Sequence, residues 1–322
     1  MPDPYEILSM TGIGDLKNIK VGVLGGGVSS EREISLISAN EALKALRRQA
    51  VDAIFIDINT CDKEKVKNLL SCGMDVVFIA LHGEFGEDGR IQQILEEMNI
   101  AYTGSSPLAS STAMNKIKSK EIFFKEKIPT AHFTVWQEGS PVSPSMGYPV
   151  VVKPHLGGSS IGLSIVRNAQ DLNPALDKVS ALNNKAVLEE FIPGRELTVG
   201  ILEENPLSVI EIAPKTGYFD FTAKYSDGLA EFIVPAKLAD DIRKIVQAVA
   251  LKAHRALGCR HFSRVDIILD KNNCPYVLEV NSIPGLTTHS LLPLAAKHCG
   301  ISFDELILKM TLMGLNEKRK KS

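Results

Sequence analysis

The sequence predicts a chain of mixed α/β and α+β class, because two kinds of β pattern follow one another along it. Between residues 19 and 105, short β-rich runs alternate with helical patterns, and strands separated by helices need the crossovers of a parallel sheet. Later, two β-rich runs flank a glycine-rich loop and two more are joined by a short polar turn, as antiparallel strands are. At roughly 150 residues per domain, 322 residues correspond to two or three domains.

Composition and charge exclude several classes of protein. With 36 basic and 38 acidic side chains, the net charge of -2 gives no global positive field, so we expect neither a nucleic-acid nor a membrane partner. No basic segment precedes an apolar one at the start, and no apolar run reaches the ~18 residues of a membrane span, which predicts a cytoplasmic protein. Five cysteines at irregular spacings indicate neither a disulfide framework nor a zinc site.

The first domain, residues 19–105, is predicted from the alternation of strands and helices. Its β-rich runs are short, and its helical patterns place apolar residues on one face. The predicted strands are Val21–Leu24, Ala53–Ile58 and Val76–Leu81, and the predicted helices are Ile34–Arg47 and Ile91–Met98.

The carboxyl ends of these strands are where an α/β sheet presents binding groups. His82 follows the third strand directly, although a lone histidine more often makes a structural hydrogen bond. A run of three glycines follows the first strand but lacks the third glycine of a dinucleotide-binding motif, which weakens that interpretation. The spacing of Ser30 and Glu33 instead predicts a capping box, with Glu31 in the first helical turn.

Two further domains are predicted at residues 106–192 and 193–322, because Ser105-Ser106-Pro107 interrupts the alternation and Pro193-Gly194 ends a strand. The predicted elements are, in order, helix Lys116–Lys127, strands Tyr148–Lys153, Ile161–Val166, Val187–Phe191, Leu197–Leu202 and Leu207–Ile212, helix Leu238–Leu257, strands Arg264–Leu269 and Pro275–Val280, and helices Ser290–Lys297 and Phe303–Met313.

The last two predicted strands carry the most informative polar residues. The turn between them centres on two asparagines, which tolerate the positive φ of hairpin turns. If the loop is even-numbered, antiparallel register places Asp266 opposite Glu279. The same register places Arg264 opposite Asn281, and all four side chains then project from one side of the sheet because side chains alternate between faces.

Two opposed carboxylates repel each other unless a cation lies between them. The oxygen donors of two acids and an amide suit Mg²⁺ or Mn²⁺, with phosphate oxygens completing the coordination shell. Two other outcomes stay open. An odd-length loop would break the register, and Arg264 could instead neutralise Asp266 on a solvated polar face.

Lys153 ends a buried strand, and a Gly/Ser turn over residues 157–162 follows it. Backbone N–H groups and hydroxyls in such a turn can surround phosphate oxygens, and the lysine supplies a positive charge. The segment is not a Walker A motif, because the Gly-Lys-Ser/Thr ending and the following helix are missing. An ordinary hairpin connection explains the same residues at least as well.

A series of motifs extends from about residue 20 to about residue 310. They are Gly26-Gly27-Val-Ser-Ser-Glu31-Arg-Glu33, Ala80-Leu-His82-Gly83, Gly86-Glu-Asp-Gly89, Tyr102-Thr-Gly-Ser105, Met114-Asn-Lys116, Val152-Lys153-Pro, Gly158-Ser159-Ser160, Ala223-Lys224-Tyr225, Arg264-Val-Asp266, Leu278-Glu279-Val-Asn281-Ser-Ile-Pro-Gly285 and Thr288-His289-Ser290-Leu291. In this order they resemble the D-alanine–D-alanine ligase family of the ATP-grasp superfamily.

The resemblance implies an ATP-grasp fold with an N-terminal Rossmann-like parallel α/β domain, and a homodimer. ATP would bind between the central and C-terminal domains. Asp266, Glu279 and Asn281 would hold two Mg²⁺ or Mn²⁺ ions, with Glu279 bridging them. The residues implied to bind ATP are Lys116, Lys153, Gly157, Gly158, Ser159, Ser160, Glu189, Phe191, Ile192, Glu196 and Lys224.

The implied reaction joins two D-alanines through an acylphosphate, with ATP as co-substrate, for peptidoglycan precursor synthesis. The implied catalytic residues are Glu31, Ser159 and Tyr225, which would link loops from three domains over the site, and Arg264 and Gly285, which would stabilise the oxyanion. The implied substrate-binding residues are Glu31, His82, Ser290 and Leu291, although a helix N-cap explains Ser290 equally well.

Other functions share part of this pattern. A related ATP-grasp enzyme could join other carboxylate and amine partners, or D-alanine and D-lactate, although Tyr225 favours the dipeptide. A nucleotide-binding regulator without catalysis would bind ATP without forming ADP, and the presence of Lys153, Arg264 and Glu279 argues against it. An oxidoreductase that binds a dinucleotide is the weakest alternative, because the glycine motif is incomplete.

Overall fold

The structure of the protein is a computed structural model, and it describes residues 16, 18–142, 146–214 and 230–321. Three sheets follow one another along the chain, a parallel one and then two antiparallel ones. This arrangement confirms the predicted mixed class. Within the described ranges, no helix combines the length and the apolar character that crossing a bilayer requires.

The N-terminal sheet is parallel and has helices on both faces. Its strands are β1 (Lys20–Gly26), β2 (Asp52–Ile58), β3 (Val76–Ile79) and β4 (Ala101–Tyr102), in the order β2-β1-β3-β4, and the helices of this segment are α1 (Arg32–Arg48), α2 (Lys63–Leu70) and α3 (Arg90–Glu97). Neighbouring residues of β3 enter different cores: Phe78 packs with α1 and Ile79 with α2 and α3. Burial on both faces explains why β3 is apolar throughout.

The central segment is an antiparallel sheet preceded by two helices. The helices are α4 (Pro107–Met114) and α5 (Lys116–Lys125), the strands are β5 (Phe133–Gln137), β6 (Val150–Pro154), β7 (Ser164–Val166) and β8 (Lys185–Glu190) in the order β5-β8-β6-β7, and α6 (Leu172–Ser180) packs on the sheet. Helices α4 and α6 and strand β5 were not predicted from the sequence. The sequence did contain a signal for α4, because the pair Ser106-Pro107 is typical of a helix start. In the structure, Ser106 accepts a hydrogen bond from the N–H of Ala109 at 3.3 Å, and Pro107 begins the helix.

The C-terminal segment contains a second antiparallel sheet. Its strands are β9 (Gly194–Leu202), β10 (Asn205–Pro214), β11 (Ala230–Ile233), β12 (Phe262–Asp270) and β13 (Pro275–Asn281), in the order β11-β10-β9-β12-β13, and its helices are α7 (Asp240–Ala256), α8 (Leu291–His298) and α9 (Phe303–Lys321). The hairpin β12–β13 places its polar residues at one edge of this sheet.

Helix α9 returns to the N-terminal sheet. Its buried Met310 belongs to the same hydrophobic core as Val23 and Phe78. At the helix start, Asp304 accepts a hydrogen bond of 2.7 Å from Nε of Arg48 on α1. The core therefore joins the two ends of the chain, and the division at residues 105 and 192 stays a prediction.

The predicted capping box at the start of α1 was wrong. The residue before the helix is Glu31, and it makes no side-chain cap. The N–H of Glu31 instead donates to Oγ of Ser29 at 3.2 Å, and this hydroxyl donates to the carbonyl of His82 at 2.9 Å. The turn therefore fixes the backbone at Glu31 and leaves its carboxylate free for a tertiary contact.

Candidate active site

The hairpin β12–β13 has the predicted pairing of its polar residues. Asp266 lies opposite Glu279, and Arg264 lies opposite Asn281. Asp266 is 5% exposed, and the other three side chains are partly exposed. Two carboxylates, a guanidinium and an amide therefore share one face at the end of the hairpin.

The pairing results from two irregularities rather than from an even loop. The N–H of Asp270 donates to the carbonyl of Cys274, which leaves the odd-length loop 271–273, with Asn273 at a φ of 60°. The pairing then shifts by one residue between Asp266 and Ile267, so that Leu278 is a bulge. The even-loop expectation was wrong, and the bulge restores the register that the odd loop shifts.

The hairpin residues form a connected polar network. Arg264 donates two hydrogen bonds of 2.9 Å to the carboxylate of Asp266, and Nδ2 of Asn281 donates to the same carboxylate at 3.1 Å. The hydroxyl of Thr198 on β9 donates a fourth hydrogen bond to it at 2.6 Å. Burial alone would lower the pKa of Arg264, but the charges of Asp266 and Glu279 raise it above its ordinary value. The guanidinium is therefore charged at neutral pH.

The glycine-rich loop lies against this hairpin. Lys116 donates from its amine to the carbonyl of Gly157, and its Nζ lies 3.8 Å from Oε2 of Glu279. Ser159 and Ser160 both have a positive φ, at 53° and 57°. Consecutive residues in this left-handed region turn the loop sharply, which presents backbone groups on its concave side.

The same loop contacts the N-terminal domain. The hydroxyl of Ser159 donates a hydrogen bond to Oε1 of Glu31. Gly83 has a φ of +72°, and a Cβ there would lie 2.5 Å from Oε2 of Glu31, so glycine is needed at this position. Glu31, Ser159 and Gly83 therefore meet at a contact between the first and the second segment of the chain.

A cleft of about 450 Å³ lies between the central sheet and the hairpin. Apolar side chains of both sheets line one part, including Val151, Ile165, Ile268 and Leu278. The predicted ATP-binding residues that line it are Lys116, Lys153, Gly157, Gly158, Ser160, Glu189, Phe191, Ile192 and Glu196. Lys116, Asp266 and Glu279 also line the cleft and lie close together, at what we call its charged end. A cleft with apolar walls and such a group of charged side chains fits a nucleotide.

Two buried lysines lie beside Glu189 at the floor of this cleft. Nζ of Lys153 is 2.8 Å from Oε1 of Glu189, and Nζ of Lys120 is 3.3 Å from the same atom. Burial alone would raise the pKa of Glu189, but the two ammonium groups lower it. Lys120 was not predicted as a site residue, because nothing in the sequence of a lysine-rich helix marks one lysine as buried.

His82 is buried, with 4% of its surface exposed. Its ring contacts the hydroxyl of Ser38 at 2.9 Å and the carbonyl of Ile283 at 3.2 Å. Nδ1 also lies 3.5 Å from Oε1 of Glu87, which belongs to the motif Gly86-Glu-Asp-Gly89 but was not predicted as a site residue. Burial raises the pKa of Glu87, and the negative charge of Glu31 adds to this effect. His82 therefore lies behind Glu87 and Glu31 rather than on an open surface.

Ser290 precedes helix α8, but its side chain does not cap the helix, so the N-cap explanation was wrong. Its hydroxyl instead accepts a hydrogen bond from the N–H of Thr287 at 3.1 Å. A Cβ at Gly285 would lie 2.9 Å from Oγ of Ser290, so the two residues approach closely because position 285 has no side chain. Leu291 begins α8 and packs partly buried against the core.

Two predicted site residues, Lys224 and Tyr225, lie within residues 215–229, outside the described part of the chain. Their predicted roles stay predictions.

The donor set at the hairpin fits a hard divalent cation. Asp266 and Glu279 supply carboxylate oxygens and Asn281 supplies an amide, which is the chemistry that Mg²⁺ and Mn²⁺ prefer. Among the described residues, no three His, Cys, Asp or Glu side chains converge on a possible metal site. A site here therefore depends on the asparagine and on phosphate oxygens.

Two family models match separate parts of the chain. Residues 59–105 match the family model described as "D-ala D-ala ligase N-terminus", and residues 116–311 match "D-ala D-ala ligase C-terminus". The D-alanine–D-alanine ligase of Geobacter sulfurreducens is 43% identical over 302 residues, which cover 92% of this chain and 95% of the relative. That of Carboxydothermus hydrogenoformans is 42% identical and covers 94% and 100%.

Solved structures give the same result. The crystal structure of D-alanine–D-alanine ligase from Bacillus anthracis complexed with ATP has a TM-score of 0.83 and 31% identity, covering 94% of this chain and all of the other. A second structure of the ligase from this organism has a TM-score of 0.84 and 32% identity. The fold is therefore the ATP-grasp fold expected from the sequence motifs. The chain belongs to the D-alanine–D-alanine ligase family.

Proposed function

We propose that the protein joins two D-alanines into D-alanyl-D-alanine, converting ATP to ADP and phosphate, for peptidoglycan precursor synthesis. The observation that carries this proposal is the pairing of Asp266 with Glu279 beside Lys116 at the charged end of the cleft. Family membership supplies the substrates, and the pairing supplies the chemistry that ATP requires.

ATP binds with its base among the apolar side chains of the cleft and its phosphates at the charged end. Glu189, Phe191, Ile192 and Glu196 contact the base and ribose. Lys116 and Lys153 neutralise phosphate charge, and the loop 157–162 covers the phosphates with backbone N–H groups. By the family resemblance, Lys224 would supply a third positive charge. Asp266, Glu279 and Asn281 would hold Mg²⁺ or Mn²⁺, and ions there would supply Lewis-acid stabilisation of charge on the transferring phosphoryl group.

The first chemical step forms an acylphosphate. A carboxylate oxygen of the first D-alanine attacks the γ-phosphorus, and the bond from that phosphorus to the leaving ADP oxygen breaks. Glu31 binds the ammonium group of this D-alanine, and His82 supports the site from behind through Glu87. The lysines stabilise charge that is greatest during the transfer, which is how such groups accelerate the reaction.

The second step forms the peptide bond. The deprotonated amine of the second D-alanine attacks the acyl carbon, phosphate leaves, and the nitrogen loses its remaining extra proton. Arg264 and the N–H of Gly285 donate to the oxyanion of the tetrahedral intermediate. Ser290 and the start of α8 at Leu291 bind the carboxylate of the second D-alanine, which is favoured at a helix N-terminus.

Exclusion of water protects the acylphosphate. The contact between Ser159 and Glu31 connects the glycine-rich loop to the N-terminal domain. By the family resemblance, Tyr225 of the third segment would extend this link. Closure of loops over a reactive intermediate reduces hydrolysis.

The family resemblance further supports a cytoplasmic homodimer with the domain division 19–105, 106–192 and 193–322. Sedimentation of the purified chain tests the dimer, and cell fractionation tests the location.

The direct test of the function is phosphate release with ATP, Mg²⁺ and D-alanine, with the product identified by mass spectrometry. We expect release only when D-alanine is present, and one D-alanyl-D-alanine per phosphate. ATP binding without D-alanine-dependent ADP formation would contradict the proposal, and so would a product made only with D-lactate.

A further inference from the structure

Lys120 lies on α5 and has no place in the function described above. It is 1% exposed, although lysine is among the side chains least often buried. The cleft is lined by Lys153 and Glu189 but not by Lys120, which lies behind them. An ammonium group removed from water in this way requires partners that compensate for its desolvation.

The first partner is Glu189. One oxygen of its carboxylate, Oε1, lies 3.3 Å from Nζ of Lys120 and 2.8 Å from Nζ of Lys153. We call these three residues the lysine–glutamate cluster. They come from α5, β8 and β6, and their side chains are 1%, 3% and 9% exposed. Burial lowers the pKa of Lys120 to about 8, so at pH 7 two ammonium groups face one carboxylate and the cluster has a net positive charge beside a cleft for an anion.

The second partner is Thr130. Nζ of Lys120 donates to its Oγ1 at 2.7 Å, and this hydroxyl donates to the carbonyl of Val277 at 2.7 Å. The N–H of Val277 in turn donates to the carbonyl of Pro129 at 2.8 Å. Both backbone groups of Val277 are thus held by the segment 129–130, next to the bulge that sets Glu279 opposite Asp266.

The buried contacts of Lys120 therefore extend in two directions. One leads through Glu189 to Lys153 in the central sheet, and the other leads through Thr130 to strand β13, which carries Glu279. We propose that Lys120 is a positioning residue, and this proposal rests on the proposed function. Through its two contacts, Lys120 holds Lys153 and the hairpin carboxylates in the positions that bind ATP with its metal ion.

Removing the charge at position 120 then has a specific consequence. Lys120→Met keeps the length of the side chain but leaves Glu189 with one cation and Thr130 without its donor. We expect affinity for AMP-PNP with Mg²⁺ to fall by about tenfold or more, as when one member of a buried charge network is truncated. KM for ATP should rise more than kcat falls, because Lys120 acts on bound nucleotide through its neighbours.

Two controls separate positioning from stability. Lys125→Met removes an exposed lysine from the same helix and should leave AMP-PNP affinity unchanged. Val246→Ala removes volume from the buried core under α7, and should lower Tm without changing AMP-PNP affinity. A purely structural Lys120 would make Lys120→Met behave like Val246→Ala, and that result would overturn the inference.

Thr130→Val tests the contact that leads from Lys120 through Thr130 to strand β13. It also replaces Lys120→Met as the test if that variant does not fold. It keeps both charges but removes the hydroxyl between Lys120 and Val277. We expect Mn²⁺ affinity in the presence of ADP, measured by electron paramagnetic resonance, to fall about threefold to tenfold. Unchanged Mn²⁺ affinity in this variant would show that the link to the hairpin has no such role.

The results distinguish a failure of this inference from a failure of the proposed function. If the wild-type chain binds AMP-PNP but releases no phosphate with D-alanine, the ligase proposal fails while the binding data still decide the role of Lys120. If the wild-type chain ligates D-alanine and Lys120→Met binds AMP-PNP equally well, the inference alone fails.

Discussion

The two sides of the nucleotide cleft have opposite charge and different construction. The lysine–glutamate cluster is assembled from three separate elements and keeps an excess of positive charge. The hairpin residues Arg264, Asp266, Glu279 and Asn281 come from two adjacent strands, and their two acids outnumber the one guanidinium. A nucleotide phosphate chain with its metal ion needs both kinds of surface, so the phosphates are expected where the two sides meet.

The difference also indicates how each side is stabilised. Asp266 is neutralised by a neighbour two residues away on its own strand, through two hydrogen bonds of 2.9 Å. Glu189 depends on lysines from two other elements. Changes on the hairpin should therefore act locally, whereas changes in the cluster should act on several elements together.

Glu279→Gln is expected to have the largest effect. It removes a negative charge with little change of volume, so turnover should fall by at least about 100-fold while Tm stays within a few degrees. Phosphate release and Mn²⁺ binding measure the two consequences. Glu203→Gln, an exposed turn residue, is the matched control. Near-normal turnover in Glu279→Gln would contradict the metal role of the hairpin.

Lys153→Met should have the next largest effect. It changes the lysine–glutamate cluster, on the other side of the cleft from the hairpin. Removing this ammonium leaves Glu189 with Lys120 alone, and AMP-PNP affinity should fall by about tenfold to 100-fold. Binding of Mn²⁺ at saturating ADP should not change, because the hairpin keeps its ligands. Calorimetry with AMP-PNP and a Mn²⁺ titration together check this. A loss of Mn²⁺ binding equal to that of Glu279→Gln would show that the two sides are not separate.

Ser159→Ala should have a smaller effect, because it removes the contact of the loop with Glu31 but no charge. We expect a several-fold rise in ADP formation that is not matched by dipeptide, since looser closure admits water to the acylphosphate. The ratio of dipeptide to phosphate measures this. A ratio equal to that of the wild type would argue against the link. Ser111→Ala, an α4 variant outside the cleft, is the control.

The smallest effect on activity is expected at His254, which lies behind the hairpin. It is buried on α7, its Nδ1 is 2.7 Å from Oγ of Ser263, and burial lowers its pKa to about 4. The unfolded chain protonates this imidazole near its ordinary pKa of about 6.5, so its contribution to stability is present above that pH and is lost as pH falls toward 4.

The loss from His254 should reach about 2 to 3 kcal/mol near pH 4. Unfolding by urea at pH 7 and pH 5 measures the slope in the wild type and in His254→Gln. The variant should be less sensitive to acid between these pH values. An equal slope in both proteins would show that other groups cause the acid sensitivity.

The hairpin could be predicted from sequence because the residues that define it lie close together in the chain. Two β-rich runs, a polar turn and a spacing of two residues were enough to pair Asp266 with Glu279. The odd loop and the bulge at Leu278 could not be predicted. Each shifts the pairing register by one residue, the two shifts cancel before Asp266 and Glu279, and the pattern of polar residues is therefore unchanged.

The lysine–glutamate cluster could not be predicted in full. Lys153 and Glu189 lie in recognisable motifs, but Lys120 is one lysine among several in α5, and only tertiary packing buries it. The same holds for β5 and α6, because their short sequence patterns do not define them. β5 pairs with β8 and α6 packs on the central sheet, and these tertiary contacts fix both elements. The contact of Ser159 with Glu31 agrees with the predicted link, whereas Tyr225 lies outside the described residues.

The most direct test of the central claim is a crystal structure of the protein with ADP and Mg²⁺. We expect an ion bound by Asp266, Glu279 and Asn281 and by phosphate oxygens, with the phosphates facing Lys116 and Lys153. An ion bound elsewhere, or phosphates turned away from the two lysines, would contradict it.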